Sequence, residues 1–359
     1  MFNVAVLPGD GIGVEIMAQA VKVLKAVEKK YAVAFDFKYA LVGGSAIDEC
    51  GEPLPKETIE ICEKASAILF GAVGGPKWEN LPANLQPERG GLLPLRKYFD
   101  LFINIRPIKL YKPLKDISPI KNRIIEKGVD FVIFRELTGG IYFGTPKYIA
   151  DDKSFAVDTL KYSVQEIERI VKVAFDLALL RKKQVVSIDK ANVLSTSLLW
   201  RHTVNNIAEK FYPDVELSHL YVDNAAMQLI MDPSRFDVIV TENMFGDILS
   251  DESAILAGSL GLLASASVND KKFGLYEPVH GSAPDIAGLN IANPIAQILS
   301  AALMLRYSFS RDDIAKNIEV AVESVLEDGF VTKDLFIDKS SQKVVSTEVM
   351  GDLIIKNIY

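Results

Sequence analysis

The 359-residue chain has little cysteine, no long apolar run, no internal repeat and no excess of basic charge. Its two cysteines, Cys50 and Cys62, show no metal-ligand spacing and suggest free thiols in a reducing compartment. No apolar stretch approaches a membrane span. The chain starts with a strand where a signal peptide would need a basic start and an apolar core, so a cytoplasmic protein without membrane contact is expected. A net charge of −7 argues against an overall basic surface and hence against nucleic acid as a partner. A P-loop, G-x-x-x-x-G-K-[ST], is also lacking, which counts against phosphoryl transfer on an aspartate cluster.

What is present fits a globular protein of about two domains, with 49% hydrophobic and 24% charged residues. Strand-like and helix-like segments alternate, the pattern of an α/β fold. Apolar runs at 66–70, 101–105, 131–134, 185–188, 217–222 and 237–240 predict strands, as does Val4 to Leu7. Val14, Met17, Val21, Leu24 and Val27 stand at helical spacing and predict a helix over 14–30. Ser163 and Glu166 form a capping box that opens a helix running to about Leu180. Residues 136–158, with Gly139, Gly140, Gly144 and Pro146, form an irregular excursion that could pair with another subunit.

The stretch PGDGIG after the first strand has the layout of a dinucleotide-binding turn. Read strictly it fails, because the third glycine position of G-x-G-x-x-G falls on Val14. A tight turn needing positive φ is the plainer reading.

Charged and amide groups follow successive strands. Arg106 stands just before Pro107, which is expected to stop its strand. Arg135 closes FVIFRE, Lys190 and Asn192 follow VVSID, Asp223 and Asn224 follow LSHLYV, and Glu242, Asn243 and Asp247 follow DVIVT. In open α/β sheets ligands bind beyond the carboxyl ends of strands. Asp247 and Asp251 lie four apart at a helix start and share a face. They could complement the helix dipole or, with Asp223, offer hard oxygen donors to Mg²⁺ or Mn²⁺. Arg96, Arg106 and Arg135 could grip a substrate carboxylate in bidentate fashion, although Arg96 alone reads as a helix-surface charge.

The runs GGLLPLRK, LFINIRP, FVIFRELTGGIYFG, DKANVL, YVDNAAMQL, TENMFGDILSDE and EPVHGSAPDIAG occur in that order. Together they resemble the isocitrate/isopropylmalate dehydrogenase family, the β-decarboxylating dehydrogenases, from PGDGIG to about ANPIAQILSAALML. The resemblance implies a two-domain α/β fold that is not a Rossmann fold, with the active cleft between the domains. It implies a discontinuous first domain of residues 1–101 and 260–359, a second domain of 102–259, and an intersubunit arm at about 136–158. A homodimer is implied, in which Lys190, Asn192 and Asp223 come from the other subunit.

The implied reaction is metal-dependent oxidative decarboxylation of (2R,3S)-3-isopropylmalate with NAD, a step of leucine biosynthesis. Arg96, Arg106 and Arg135 would hold the malate carboxylate, Asp223, Asp247 and Asp251 the Mg²⁺ or Mn²⁺. Lys190 would be the base and Tyr142 the proton donor, with Asp223 beside them. Leu92 and Leu93, with Glu88, Asn192 and Val193 nearby, would set specificity by walling an alkyl group. NAD would lie against Ile12, His280, Gly281, Ser282, Ala283, Asp285, Ile286 and Asn293. Asp285 would accept from the adenosine ribose hydroxyls and repel a 2′-phosphate, favouring NAD over NADP. The rivals are D-malate, tartrate or homoisocitrate as substrate, or an NAD-binding regulatory protein of the same fold.

Overall fold

The computed structural model describes residues 1–338 and 340–359. Its main strands are β1 (Phe2–Gly9), β2 (Phe35–Tyr39), β3 (Ala67–Ala72), β4 (Ile103–Lys109), β5 (Asp130–Glu136), β6 (Tyr148–Ile149), β7 (Ala156–Val157), β8 (Gln184–Asp189), β9 (Glu216–Tyr221), β10 (Val238–Thr241), β11 (Ala264–Val268) and β12 (Gly274–Pro278). Helices alternate with them. The chain forms two compact units, one of residues 1–101, 111–117 and 258–359, the other of 102–110 and 118–257.

In the first unit the strand order is β2-β1-β3-β12-β11. All neighbours are parallel except β11 and β12. Val4 through Leu7 are all buried, the continuous apolar run of a strand covered on both faces. Residues 295–305 of helix Ile295–Tyr307 are likewise all buried. A helix apolar all round belongs in a core. Helix Gly13–Tyr31 buries Met17, Val21, Leu24 and Val27, as their spacing predicts, but leaves Val14 exposed.

The PGDGIG turn has a structural task. Gly11 adopts φ +55°, and a Cβ there would lie 2.1 Å from the Ser282 carbonyl oxygen. The neighbouring Ile12 N–H donates to that oxygen at 2.8 Å. Only glycine lets the two backbones approach this closely. Asp10, inside the turn and buried, accepts from the N–H groups of Gly44, Ser45 and Gly74. The turn therefore anchors three loops.

In the second unit the order is β4-β5-β10-β8-β9. β5, β10, β8 and β9 are mutually parallel, whereas β4 runs antiparallel to β5. This corrects two expectations. Pro107 does not stop its strand: it lies inside β4 opposite Val132. The ladder bonds Leu137 N–H to Phe102 O and Leu110 N–H to Val129 O place Pro107 at a non-hydrogen-bonded position, so its missing N–H costs the ladder nothing. Arg106 is consequently mid-strand, paired with Ile133, and does not stand at the carboxyl end with the others.

The capping box forms as expected, with reciprocal bonds between Ser163 and Glu166 at the start of helix Val164–Leu179. Residues 136–158 include the turn Gly140–Tyr142 and the two-stranded hairpin of β6 and β7. Strands β2, β11 and β12 are additional to those predicted. β2, FDFKY, alternates apolar and polar residues at a half-exposed sheet edge, whereas β11 and β12 are short and broken by small residues.

Candidate active site

The second unit gathers the arginines and aspartates around helix Asn243–Ala257. Arg135, at the end of β5 and 4% exposed, donates Nη1 to Asp247. Its Nε and Nη2 both donate to Asn243 Oδ1, at 3.0 and 2.9 Å. Arg106 lies on β4, with Nε donating to Asn104 Oδ1 at 2.8 Å. Its Nη1 donates to Ser250 Oγ at 2.6 Å and to Asp251 Oδ1 at 2.9 Å. Arg106 Nη2 is also 3.9 Å from Asp247. Gly246 makes this possible, since a Cβ there would come within 2.6 Å of the Arg135 Cγ. The helix can therefore press against β5.

Asp247 and Asp251 share one helix face, but neither lies in the first turn of Asn243–Ala257. The dipole effect fades within a turn, so it does not account for them. Two guanidinium groups do. Asp247 Oδ2 also accepts from Tyr142 Oη at 2.9 Å. Partial burial, with this bond and the carboxylate charge, pushes the Tyr142 phenol up to about 12. At neutral pH it is a protonated donor.

Behind this group lies a buried acid cluster. Tyr162 Oη is 3.3 Å from Glu136 and 3.4 Å from Glu242, and burial raises both carboxyls and the phenol above their ordinary values.

At the ends of β8 and β9, Lys190 Nζ donates to Asp223 Oδ1 at 2.6 Å. Asn192 and Val193 are exposed beside them. Among the described residues no group of three or more His, Cys, Asp or Glu could hold a metal ion in this single chain. Asp223 is thus not gathered with Asp247 and Asp251.

The first unit carries Arg96, which is 12% exposed at its side chain and not a helix-surface charge. Its Nη2 donates to Glu277 at 2.6 Å. Leu92 is half-buried against the cluster of Phe70, Leu95 and Leu101, while Leu93 and Glu88 are exposed.

The same unit holds a cavity of about 450 Å³ lined by Ile12, His280, Ile286, Ile291, Ala292 and Asn293, with Lys333 and Asp334 at its wall. His280 Nδ1 donates to the Gly281 carbonyl at 2.8 Å, and burial lowers its pKa, so the ring is neutral with a lone pair on Nε2. That Nε2 is buried and has no partner among the described residues. Asn293 Nδ2 donates to Asp334 at 3.1 Å. Ser282 is buried and donates its hydroxyl to the Gly74 carbonyl at 2.6 Å. Ala283 is half-buried, and Gly281 and Asp285 are exposed.

Asn104, Asn243, Ser250 and Glu277 hold the arginines, yet no spacing rule singles them out. Asn104 had a signal, two residues from Arg106 and so on the same strand face, and Asn243 had another, standing among the polar groups that follow DVIVT. Asp334 lies far from every motif.

Paired arginines facing a carboxylate pair, a protonated phenol on one of those carboxylates, and a mostly apolar cavity with one orphaned imidazole nitrogen suit a dehydrogenase of small acids. The chain matches the sequence model of the isocitrate/isopropylmalate dehydrogenase family over residues 3–354 and belongs to that family. It is an oxidoreductase. Among its relatives are proteins named 3-isopropylmalate dehydrogenase from Aliivibrio fischeri, 57% identical, and Thermotoga maritima, 58% identical. These alignments cover 99% of this chain in both cases, and 98% and 99% of the respective relatives. A solved isocitrate dehydrogenase from Methylococcus capsulatus superposes with a TM-score of 0.85 at 35% identity, covering 100% of this chain and 99% of that one.

Proposed function

We propose that this dehydrogenase converts (2R,3S)-3-isopropylmalate to 4-methyl-2-oxopentanoate and CO₂ with reduction of NAD, as a cytoplasmic step of leucine biosynthesis. The observation that carries the reading is the pairing of Arg106 and Arg135 with Asp247 and Asp251 beside the Tyr142 hydroxyl. High identity to 3-isopropylmalate dehydrogenases along nearly the whole chain supports this substrate over isocitrate, homoisocitrate or malate. It also disfavours a purely regulatory role.

The residues present fit both groups the family implies. Asp247 and Asp251 offer hard carboxylate oxygens one turn apart, the donors Mg²⁺ or Mn²⁺ takes. Asp223 of a second copy would complete the set. Ile12, Ile286, Ile291 and Ala292 offer apolar walls to a flat ring, and the His280 Nε2 lone pair suits an exocyclic amine, as at the adenosine end of NAD. Gly281, Ser282, Ala283, Asp285 and Asn293 are assigned to the same ligand, with Asp285 selecting NAD. When bound, the metal ion stabilises negative charge on the substrate oxygen and NAD accepts the hydride.

The chain's own residues do the rest. Arg96, Arg106 and Arg135 orient the malate carboxylate that departs as CO₂. Lys190, as the neutral amine, accepts the C2 hydroxyl proton through a water or a relay. Tyr142, kept protonated, then returns a proton to C3 after CO₂ leaves. Leu92 and Leu93 turn the isopropyl group away from water, with Glu88, Asn192 and Val193 at the margin.

A homodimer is part of this reading. Helices Val222–Met231 and Asn243–Ala257 pack on each other and leave Met227, Met231, Ile248 and Ile255 half or more exposed. Such apolar surface supports an association face here. On the hairpin of β6 and β7, Tyr148, Ile149 and Phe155 are also exposed, as an intersubunit arm requires.

The test is steady-state NADH formation across small 2-hydroxy acids, with and without EDTA. Metal-dependent turnover strongest on 3-isopropylmalate is expected; a preference for a tricarboxylate or for malate would overturn the substrate.

A further inference from the structure

Asn243 is fully buried and has no role in the reaction as assigned above. Its side-chain amide is used at both ends. Oδ1 accepts two N–H groups from one edge of the Arg135 guanidinium, at 3.0 and 2.9 Å. Nδ2 donates to the Gly139 carbonyl at 3.0 Å. Its backbone N–H donates to Tyr162 Oη at 3.0 Å, so the residue is pinned from behind as well.

These contacts reach two groups of the candidate site. With its Nε–Nη2 edge held on one oxygen, the plane of the Arg135 guanidinium is set, and with it the direction in which Nη1 points. Gly139 immediately precedes the turn Gly140–Tyr142, which carries the phenol. We propose that Asn243 is a positioning residue: one buried amide fixes both the carboxylate-gripping face of Arg135 and the turn that aims the Tyr142 hydroxyl. The proposal rests on the reading of Arg135 as a substrate-carboxylate ligand and of Tyr142 as the proton donor.

An amide is what this place requires. An aspartate would accept from Arg135 but would set a carboxylate oxygen against the Gly139 carbonyl. A serine is too short for either bond, and leucine can make neither. The two halves of the proposal can therefore be separated. Asn243→Asp keeps the arginine contact and loses the Gly139 contact. Asn243→Ser loses both.

The experiment measures the Kd of 3-isopropylmalate by calorimetry and kcat by NADH formation in the purified, metal-loaded enzyme, with melting curves to confirm folding. Asn243→Asp should leave Kd within about threefold and lower kcat about tenfold or more. Asn243→Ser should weaken Kd and lower kcat, each about tenfold or more, the range for loss of a hydrogen bond to a charged or catalytic group. Either variant with a lower melting temperature but unchanged Kd and kcat would mean a merely structural role and overturn the proposal. Should Asn243→Asp not fold, Asn243→Ser decides alone. Arg135→Gln and Tyr142→Phe are measured beside them. If Arg135→Gln leaves Kd unchanged or Tyr142→Phe leaves kcat unchanged, the failure lies in the assignment of the site and not in Asn243.

Discussion

Lys190 Nζ and Asp223 Oδ1 meet at 2.6 Å across the ends of the adjacent parallel strands β8 and β9. Asp223 also opens helix Val222–Met231, where N-terminal amides favour a negative charge. The hydrogen bond from Lys190, first among the causes, holds the Asp223 carboxyl below the usual carboxylate range. Since the folded-state pKa is lowered, the pair's support for the fold is present above the unfolded pKa and is lost as pH falls through the folded one.

Lys190→Ala removes the proposed base and changes none of the residues that line the cavity of Ile12 and His280. Turnover should fall by about 10² to 10⁴ while NADH affinity, followed by its fluorescence, changes little. Retention of wild-type kcat would reject Lys190 as the base.

Burial, with the Asp247 hydrogen bond, pushes the Tyr142 phenol up to about 12 from an ordinary 10.0. A raised pKa favours the protonated form in the fold, so this contribution is intact below pH 10 and disappears as pH rises through 12. Asp247→Asn removes the hydrogen-bonded carboxylate and should bring the phenol down. Ultraviolet titration of tyrosine absorbance, with Tyr142→Phe to identify the signal, should show the shift. An unmoved titration would disprove the coupling.

Leu92 has two faces to satisfy, since it leans on the Phe70 and Leu95 cluster while serving the proposed isopropyl pocket. Leu92→Ser should cost about 1–2 kcal/mol of stability, as expected for a half-buried leucine. It should also lower kcat/KM for 3-isopropylmalate relative to malate by about tenfold. If that ratio stays constant, Leu92 belongs to the core alone.

Arg96 depends on Glu277. Both side chains are nearly buried, at 12% and 9% exposure, and Arg96 Nε has no partner among the described residues. Glu277→Ala leaves a buried guanidinium without its counter-charge and should destabilise the protein by roughly 3–5 kcal/mol. Denaturant unfolding measures this. Glu277→Gln, which keeps an acceptor, should recover part of it, and an equal loss in both variants would show that the charge itself matters most.

Much of this molecule was legible in the sequence. The covered strands announced themselves as apolar runs, and the Ser163–Glu166 cap and the helix over 14–30 followed from spacing, because such local patterns act between residues a few positions apart. The alternation FDFKY of β2 is a strand signal too, but one of only five residues at a half-exposed edge, whereas β11 and β12 with their small residues carry no clear local pattern. Pro107 misled because a proline's effect on a strand depends on which way its nitrogen faces. That is a property of the pairing with β5 and not of the residue.

For the candidate site, the sequence by itself determined which chemical groups are available: three arginines, the aspartates of FGDILSDE, Lys190 and a tyrosine among glycines. The ordered motifs tied them to a family. Only the tertiary structure decided their partners. Arg135 is clamped by Asn243, Arg106 by Asn104 and Ser250, Arg96 by Glu277, and the cavity wall is completed by Asp334 from a distant segment. The reason is range. Charge and hydrophobic period are carried by each residue and its near neighbours, whereas burial, hydrogen-bond direction and raised or lowered pKa values arise only when distant segments, such as those of Gly74 and Ser282, 208 residues apart, are brought into contact.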